Sequence, residues 1–306
     1  MRDTLVNQIT KLAEKNKKIV VLAGDIGYKL FDGFIKKFPN RFYNCGVAEA
    51  NMTTVAAGLA IKGFIPITYT IATFNVYKTV EQIKIDICYP NLGVIVVGVG
   101  SGLSYADLGA THHALEDIGI LRSIPNLNIV TPADPLELKS LVPQIIKNKQ
   151  PTYLRIGKKG EKNVYKKIPK LKFKKWNEII RGKKICIIAS GNIIVNAYDS
   201  IKELNKLKIY PSLVSAHTIK PLDILMLKKI LKKFEYIVTL EEHSKIGGLA
   251  SSISEFYIEN QYKNKFLTLN TGENFIIKSG KQQNAISMVE LSANKIKKKI
   301  INFLKK

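Results

Sequence analysis

One carboxylate, two adjacent histidines, an arginine and a pair of aromatic rings have the types and spacing to do chemistry in this chain. Glu49 follows Gly46-Val47-Ala48, where an extended run gives way to a stretch rich in small residues, Ala56, Ala57, Gly58 and Ala60. An acid there either complements the positive N-terminus of a helix or stands at the top of a sheet, facing a site. Thr111-His112-His113 is followed by Glu116-Asp117. Imidazoles titrate near neutrality and shuttle protons, although a lone loop histidine is more often a solvated turn residue. Arg155 ends an extended run, and its planar fork suits a phosphate as well as a strand-end salt bridge. Phe74 and Tyr77, one helical turn apart, present two rings on one face, as core packing or as a stacking surface. Asp25, after an extended run, is by type and place an ordinary turn residue.

The elements that position these residues follow from the alternation of short β-branched runs with longer amphipathic stretches, the pattern of parallel strands joined by helices. The first half predicts strands at 19–23, 42–47, 65–70, 94–99, 128–131 and 152–156, with helices at 48–61, 76–88, 116–123 and 135–147. A lysine-rich stretch without apolar pattern then reads as a linker. A second series predicts strands at 184–189, 212–215, 236–240 and 266–269, with helices near 194–207, 224–234, 248–259 and 284–304. The expected fold class is α/β in two domains, each a mainly parallel sheet flanked by helices: 1–160, a linker at 161–183, and 184–306.

The chain has 306 residues, 46% of them apolar, enough for two buried cores. Its net charge of +24, from 48 Lys and Arg against 24 Asp and Glu, raises nucleic-acid binding as a possibility. The lysines are spread along the chain with no nucleic-acid motif, which favours a compositional bias on a solvated surface, and no nucleic-acid partner is expected. No apolar run spans a bilayer, so no membrane partner is expected. Three distant cysteines, Cys45, Cys88 and Cys186, fit reduced thiols in a cytoplasmic protein.

The chain resembles the transketolase family, together with deoxyxylulose phosphate synthases and the beta subunits of 2-oxoacid dehydrogenases. The likeness rests on ordered blocks: Gly24-Asp25, Gly46-Val47-Ala48-Glu49, Ala72-Thr73-Phe74, Glu81-Gln82-Ile83, Thr111-His112-His113, Glu116-Asp117 and Pro132-Ala133-Asp134. Leu240-Glu241-Glu242-His243 with Gly247-Gly248 is similar to the family's C-terminal domain, so the likeness reaches nearly the whole chain. It implies a pyrimidine-binding domain followed by a transketolase C-terminal domain, with thiamine diphosphate and Mg²⁺ as cofactors. The resemblance assigns Glu49 to N1′ of the cofactor's aminopyrimidine, where a buried, protonated carboxyl suits the role because an ionised one could only accept a hydrogen bond. It assigns Phe74 and Tyr77 to the pyrimidine ring and Asp25 to the neighbourhood of the thiazolium. It makes His112 the active-site histidine, with His113, Arg155 and Lys29 on the substrate side, Arg155 and Lys29 toward its phosphate.

The pattern also breaks. Sugar-phosphate transketolases carry an Asp four positions before the active-site histidine and another His twelve before; here those places hold Leu108 and Gly100. Asp107 compensates if the loop shifts by one residue. Family members hold the diphosphate through a Gly-Asp-Gly segment and a downstream Asn that bind the metal, and no Gly-Asp-Gly occurs here. The resemblance therefore implies a partner, a transketolase N-terminal-like subunit carrying the diphosphate-binding domain, in a heterotetramer. The expected activity is transfer of a two-carbon ketol unit between a ketose and an aldehyde, on a small sugar or sugar phosphate. The alternatives are a 2-oxo acid decarboxylating subunit and a noncatalytic binding protein.

Overall fold

The computed structural model describes residues 1–277 and 280–305. The first unit runs α1 (Arg2–Lys15), β1 (Ile19–Ala23), α2 (Asp32–Lys37), β2 (Phe42–Asn44), α3 (Glu49–Ile61), β3 (Ile65–Ile71), α4 (Ala72–Tyr77), α5 (Val80–Gln82), β4 (Ile95–Val99), α6 (Asp117–Arg122), β5 (Asn128–Val130), α7 (Pro135–Asn148) and β6 (Thr152–Ile156). The second runs β7 (Asn177–Ile180), β8 (Ile185–Ser190), α8 (Ile194–Lys206), β9 (Ser212–Ser215), β10 (Thr218–Lys220), α9 (Ile224–Lys233), β11 (Tyr236–Glu241), α10 (Leu249–Glu259), β12 (Lys265–Leu269), α11 (Gln282–Met288) and α12 (Ala293–Leu304).

Seven strands form one sheet in the order β10-β5-β6-β4-β3-β1-β2, and five form another, β12-β11-β8-β9-β7. Each is parallel except at one edge, where β10 pairs antiparallel with β5 and β7 with β9. Strands β1, β3 and β4 are buried along their whole length, as a parallel sheet covered on both faces requires. Alternation then sorts the side chains: Ile19 and Val21 pack with Leu5 and Ile9 of α1 and Leu138 and Leu141 of α7, while Val20 and Leu22 face the opposite way. That second face shares one apolar core with Cys186 and Ile188 of β8, Leu249 and Ile253 of α10, so the two sheets are joined by a common layer. The far face of the second sheet packs on α8 and α12.

Local chemistry places several boundaries. Asp134 accepts from the N–H groups of Leu136 and Glu137 at 2.8 Å and Pro135 opens the helix, which together start α7 where the pattern predicts. The helix predicted over 76–88 is broken instead. It becomes the end of α4, then α5, then wider π-type turns over Ile83–Cys88 that bring Ile83, Ile87 and Cys88 all into the core. The helix predicted over 284–304 divides at Glu290, whose φ of 58° ends α11. The stretch read as linker is not all connector: buried Trp176 donates from Nε1 to the Thr218 carbonyl at 2.7 Å, and β7 follows it as an edge strand. Among the described residues no helix is long and apolar enough to cross a membrane.

Candidate active site

In the first sheet the chain leaves β1 for β2 on one side and β3 on the other, so strand order reverses at β1. The loops after adjacent strands diverge there and leave a crevice at their carboxyl ends, where ligands of open α/β sheets bind. Asp25 follows β1, Glu49 follows β2, Phe74 follows β3 and the loop of His112 follows β4, so four sequence-predicted residues share one edge. Gly24 keeps this edge tight, since a Cβ there would stand 3.1 Å from Thr70.

Glu49 opens α3 and is only 3% exposed. Its Oε2 lies 3.4 Å from the Lys78 ammonium, whose side chain is 52% exposed, and its Oε1 has no hydrogen-bond partner. A buried carboxyl with one oxygen orphaned is costly unless a donor from elsewhere meets it. Around it the surface is open: Val47 is 72% exposed, and Tyr77 and Leu108 are exposed as well. Asn44 ties the Glu49 loop to Asp25, accepting from Gly46 N–H at 3.0 Å and donating to Asp25 Oδ1 at 2.9 Å.

Phe74 and Tyr77 both belong to α4 and both turn toward the segment 111–117. The Phe74 ring meets the His112 ring edge-on at 5.1 Å, with Lys78 over its face at 4.9 Å. The Tyr77 hydroxyl donates to Glu116 Oε2 at 2.6 Å, and burial first, then the acids Asp117 and Glu116, push its pKa up. Thr73 Oγ1 donates to the Thr111 carbonyl at 2.9 Å, which fixes the histidine loop to α4. His112 Nδ1 is 2.9 Å from Thr111 Oγ1. Its pKa is lowered, mainly by burial and then by His113 and Lys158, with Asp107 pulling the other way. A neutral imidazole is the form that can take up a proton.

The structure brings Glu49, Phe74 and His112 together through Lys78, with Tyr77 and Asp25 on the margin. It separates His113 and Arg155, while Lys29 lies in the loop after β1 that also carries Asp25. His113 is buried and its Nε2 lies 3.2 Å from the Ala106 carbonyl, so it braces the turn at Ala106–Leu108. Lys29 has φ 60° and stands over the neighbouring Tyr28 ring at 5.4 Å. Arg155 corrects the expectation of a phosphate-binding arginine. It is buried, its Nε donates to Asp117 Oδ2 at 2.7 Å and its Nη2 to the carbonyls of Ala114 and Glu242 at 2.6 and 3.1 Å. Burial works against its charge, yet Asp117 holds the guanidinium protonated with a raised pKa. This is the strand-end salt bridge of the two sequence readings, sealed inside the protein.

Sequence reasoning missed Tyr105, Lys78, Lys158 and Asn44, and it quoted Glu116 without giving it a role. Tyr105 explains the missing histidine at position 100. Gly100 has φ 83°, and a Cβ there would lie 2.1 Å from the Tyr105 ring, which itself meets His112 at 5.9 Å and carries Lys158 over its face at 4.3 Å. A glycine with a tyrosine five residues on was all the sequence offered, since the positive φ that joins them is a property of the folded chain.

Two family models together span almost all of this arrangement: the transketolase pyrimidine-binding domain matches residues 1–161 and the transketolase C-terminal domain residues 174–296. The chain belongs to the transketolase family, as a transketolase-like transferase built from the C-terminal half of that architecture. Its likeness to proteins named as single subunits of transketolases makes the assignment more particular. It is 33% identical to an apulose-4-phosphate transketolase subunit of Phocaeicola vulgatus over 261 residues, 85% of this chain and 84% of that one. It is 32% identical to a 6-deoxy-6-sulfo-D-fructose transketolase subunit of a Clostridium species, covering 85% and 81%. Among solved structures, a split gene transketolase described as an inactive beta4 tetramer superposes with a TM-score of 0.88 at 30% identity, over 99% of this chain and 97% of that one. A transketolase from Pichia stipitis superposes with a TM-score of 0.80 at 16% identity and shares the fold.

Proposed function

We propose that this chain is one half of a two-component enzyme that moves a two-carbon ketol unit from a ketose to an aldehyde acceptor, with thiamine diphosphate and Mg²⁺ as cofactors. Buried Glu49 carries this reading: its Oε1 is unpartnered, and the Lys78 ammonium beside its Oε2 also stands over the Phe74 ring. The cofactor's aminopyrimidine offers the ring nitrogen and amino group that such a carboxyl can meet, and its aromatic face suits Phe74, so the residues present fit the group. When bound, the cofactor supplies an electron sink for the carbon being transferred.

The chain's own residues do the rest. Glu49 would exchange its weak contact with the Lys78 ammonium for a hydrogen bond to the pyrimidine. Tyr77, anchored by Glu116, and Asp25, anchored by Asn44, border the ring. His112, kept neutral by burial, carries protons to and from the substrate hydroxyls. Asp107, near enough to act on His112, takes the place of the acid absent at Leu108. Lys158 and Lys29 offer charge to an anionic end of a sugar phosphate, while His113 shapes the loop.

The diphosphate and Mg²⁺ belong to a partner, an N-terminal-like subunit with the diphosphate-binding domain, in a heterotetramer of two copies of each chain. The relatives named as transketolase subunits, and the open surface around Glu49, support this division. Three free thiols fit a cytoplasmic setting. Reconstitution with the partner tests the proposal: ketol transfer without carbon dioxide release is expected, and tight cofactor binding with turnover by this chain alone would refute it. Release of carbon dioxide from pyruvate would instead support a decarboxylating role, as in the 30% identical 1-deoxy-D-xylulose-5-phosphate synthase of Aquifex aeolicus, which this chain matches over 47% of its length.

A further inference from the structure

Position 100 leaves a space beside His112, and a ring from five residues on fills it. Gly100 follows β4 with φ 83°, a backbone setting that favours glycine. A Cβ on it would run into Cδ2 and Cε2 of Tyr105, so no side chain can share that place with the ring. Tyr105 is 8% exposed. Its ring meets the His112 ring at 5.9 Å and 60°, while Phe74 meets the same imidazole at 5.1 Å and 68°. Both are edge-to-face pairs at ordinary separations.

Tyr105 is held in turn. Lys158, after β6, puts its ammonium over the ring at 4.3 Å. Arg2, which opens α1, lies close enough to the hydroxyl to lower its pKa, although burial, the larger influence, raises it. The loop is pinned before the ring, where Leu103 N–H donates to Glu242 Oε1 at 2.6 Å, and after it, where Thr73 Oγ1 donates to the Thr111 carbonyl at 2.9 Å. The His112 imidazole has fewer ties. Its Nδ1 meets only the adjacent Thr111 hydroxyl, and among the described residues its Nε2 has no hydrogen-bond partner, which leaves that nitrogen for a substrate.

Charges alone do not account for the state of this half-buried imidazole. His113 and Lys158 oppose its protonation and Asp107 favours it, but burial is the largest influence. Lys78 and Arg2, cations on the helices packed nearby, contact the rings. What buries the imidazole is what stands against it, and that is Phe74 on one helix and Tyr105 on its own loop.

We infer that Tyr105 is a positioning residue for His112: its ring, seated over Gly100, clamps the imidazole together with Phe74, shields it from water and holds its free nitrogen in one orientation. The inference rests on His112 being the proton carrier of the proposed reaction.

The full chain without partner or cofactor supplies the first test, by NMR with labelled His, Tyr and Phe. The His112 ring protons should show cross-peaks to both rings and titrate below the ordinary 6.5. Tyr105→Leu, which removes the ring, should raise that midpoint, and Tyr105→Phe, which keeps it, should restore the midpoint. In the reconstituted enzyme Tyr105→Leu should lower kcat about 10²-fold with little change in KM, and the acid limb of the kcat profile should move to higher pH along with the NMR midpoint. Absent cross-peaks to Tyr105, a midpoint at 6.5 or above in the unaltered chain, or a midpoint indifferent to loss of the ring would overturn the inference. Equal shifts in the Leu and Phe variants would overturn it too, by tracing the effect to the hydroxyl. Should Tyr105→Leu fail to fold by circular dichroism, the cross-peaks and midpoint of the unaltered chain decide together with Tyr105→Phe. If no ketose is turned over, the ketol-transfer proposal fails, while the titration still decides whether the ring clamps His112.

Discussion

Glu49 and Glu242 are both buried acids at the carboxyl edge of a parallel sheet, each with one oxygen unpartnered, yet the protein treats their second oxygens differently. Glu242 is locked at 2.6 Å on a main-chain N–H of the other domain. Glu49 has only a half-exposed lysine at 3.4 Å. A main-chain donor cannot leave without unfolding a loop, whereas a lysine swings into water at little cost. The first arrangement is a strut and the second a contact that can be exchanged. The Tyr153–Asp117–Arg155 cluster lies at the strut end of this scale, with Tyr153 also donating to Asp117 Oδ2 at 2.6 Å.

The contrast can be broken most severely at Glu49. Glu49→Gln should lower kcat of the reconstituted enzyme about 10²–10⁴-fold while costing at most about 1 kcal/mol in unfolding, because only one long contact to a half-exposed lysine is lost; a large loss of stability would make Glu49 a strut too. Next comes Arg155→Leu, which strands the Asp117 carboxylate in the interior. It should cost about 3–5 kcal/mol in urea unfolding, and a small cost paired with a raised KM for phosphorylated substrates would return Arg155 to the substrate.

A pH experiment tests the strut at Glu242. Burial raises its pKa to about 7 from the ordinary 4.5. Between those values the folded chain keeps a proton that the unfolded chain has released, so this contribution is complete below pH 4.5 and is lost as pH rises through 7. Glu242→Gln should flatten that decline in stability, measured by denaturation at several pH values; an unchanged slope would place its origin elsewhere. The smallest effect is expected at Asp107→Asn. Removing the one carboxylate that raises the His112 pKa should lower its midpoint further in an NMR titration, and no shift would remove Asp107 from the site.

How much was legible is best judged from single residues. The places of Glu49 and Phe74 in the fold were readable because each sits in a short block between a strand and the helix that follows it, and that of His112 because its block falls in the long connection after β4. Strands β1, β6 and β9 fall at their predicted limits because a short β-branched run announces each. The three residues of β10 carry no period, and this strand completes the first sheet although it lies among elements of the second. Tyr105 was passed over because its importance depends on an empty position at Gly100.

The sequence alone determined the strands, most of the helices and the order of the chemical blocks, since these depend on neighbours within one or two turns of chain. Only the tertiary structure decided what each charged side chain faces. Arg155 became a sealed ion pair and Glu242 a brace on the His112 loop through partners 38 and 139 residues away in sequence. At such separations the partner is chosen by how two sheets stack on a common core, and no local pattern of residue types encodes that choice.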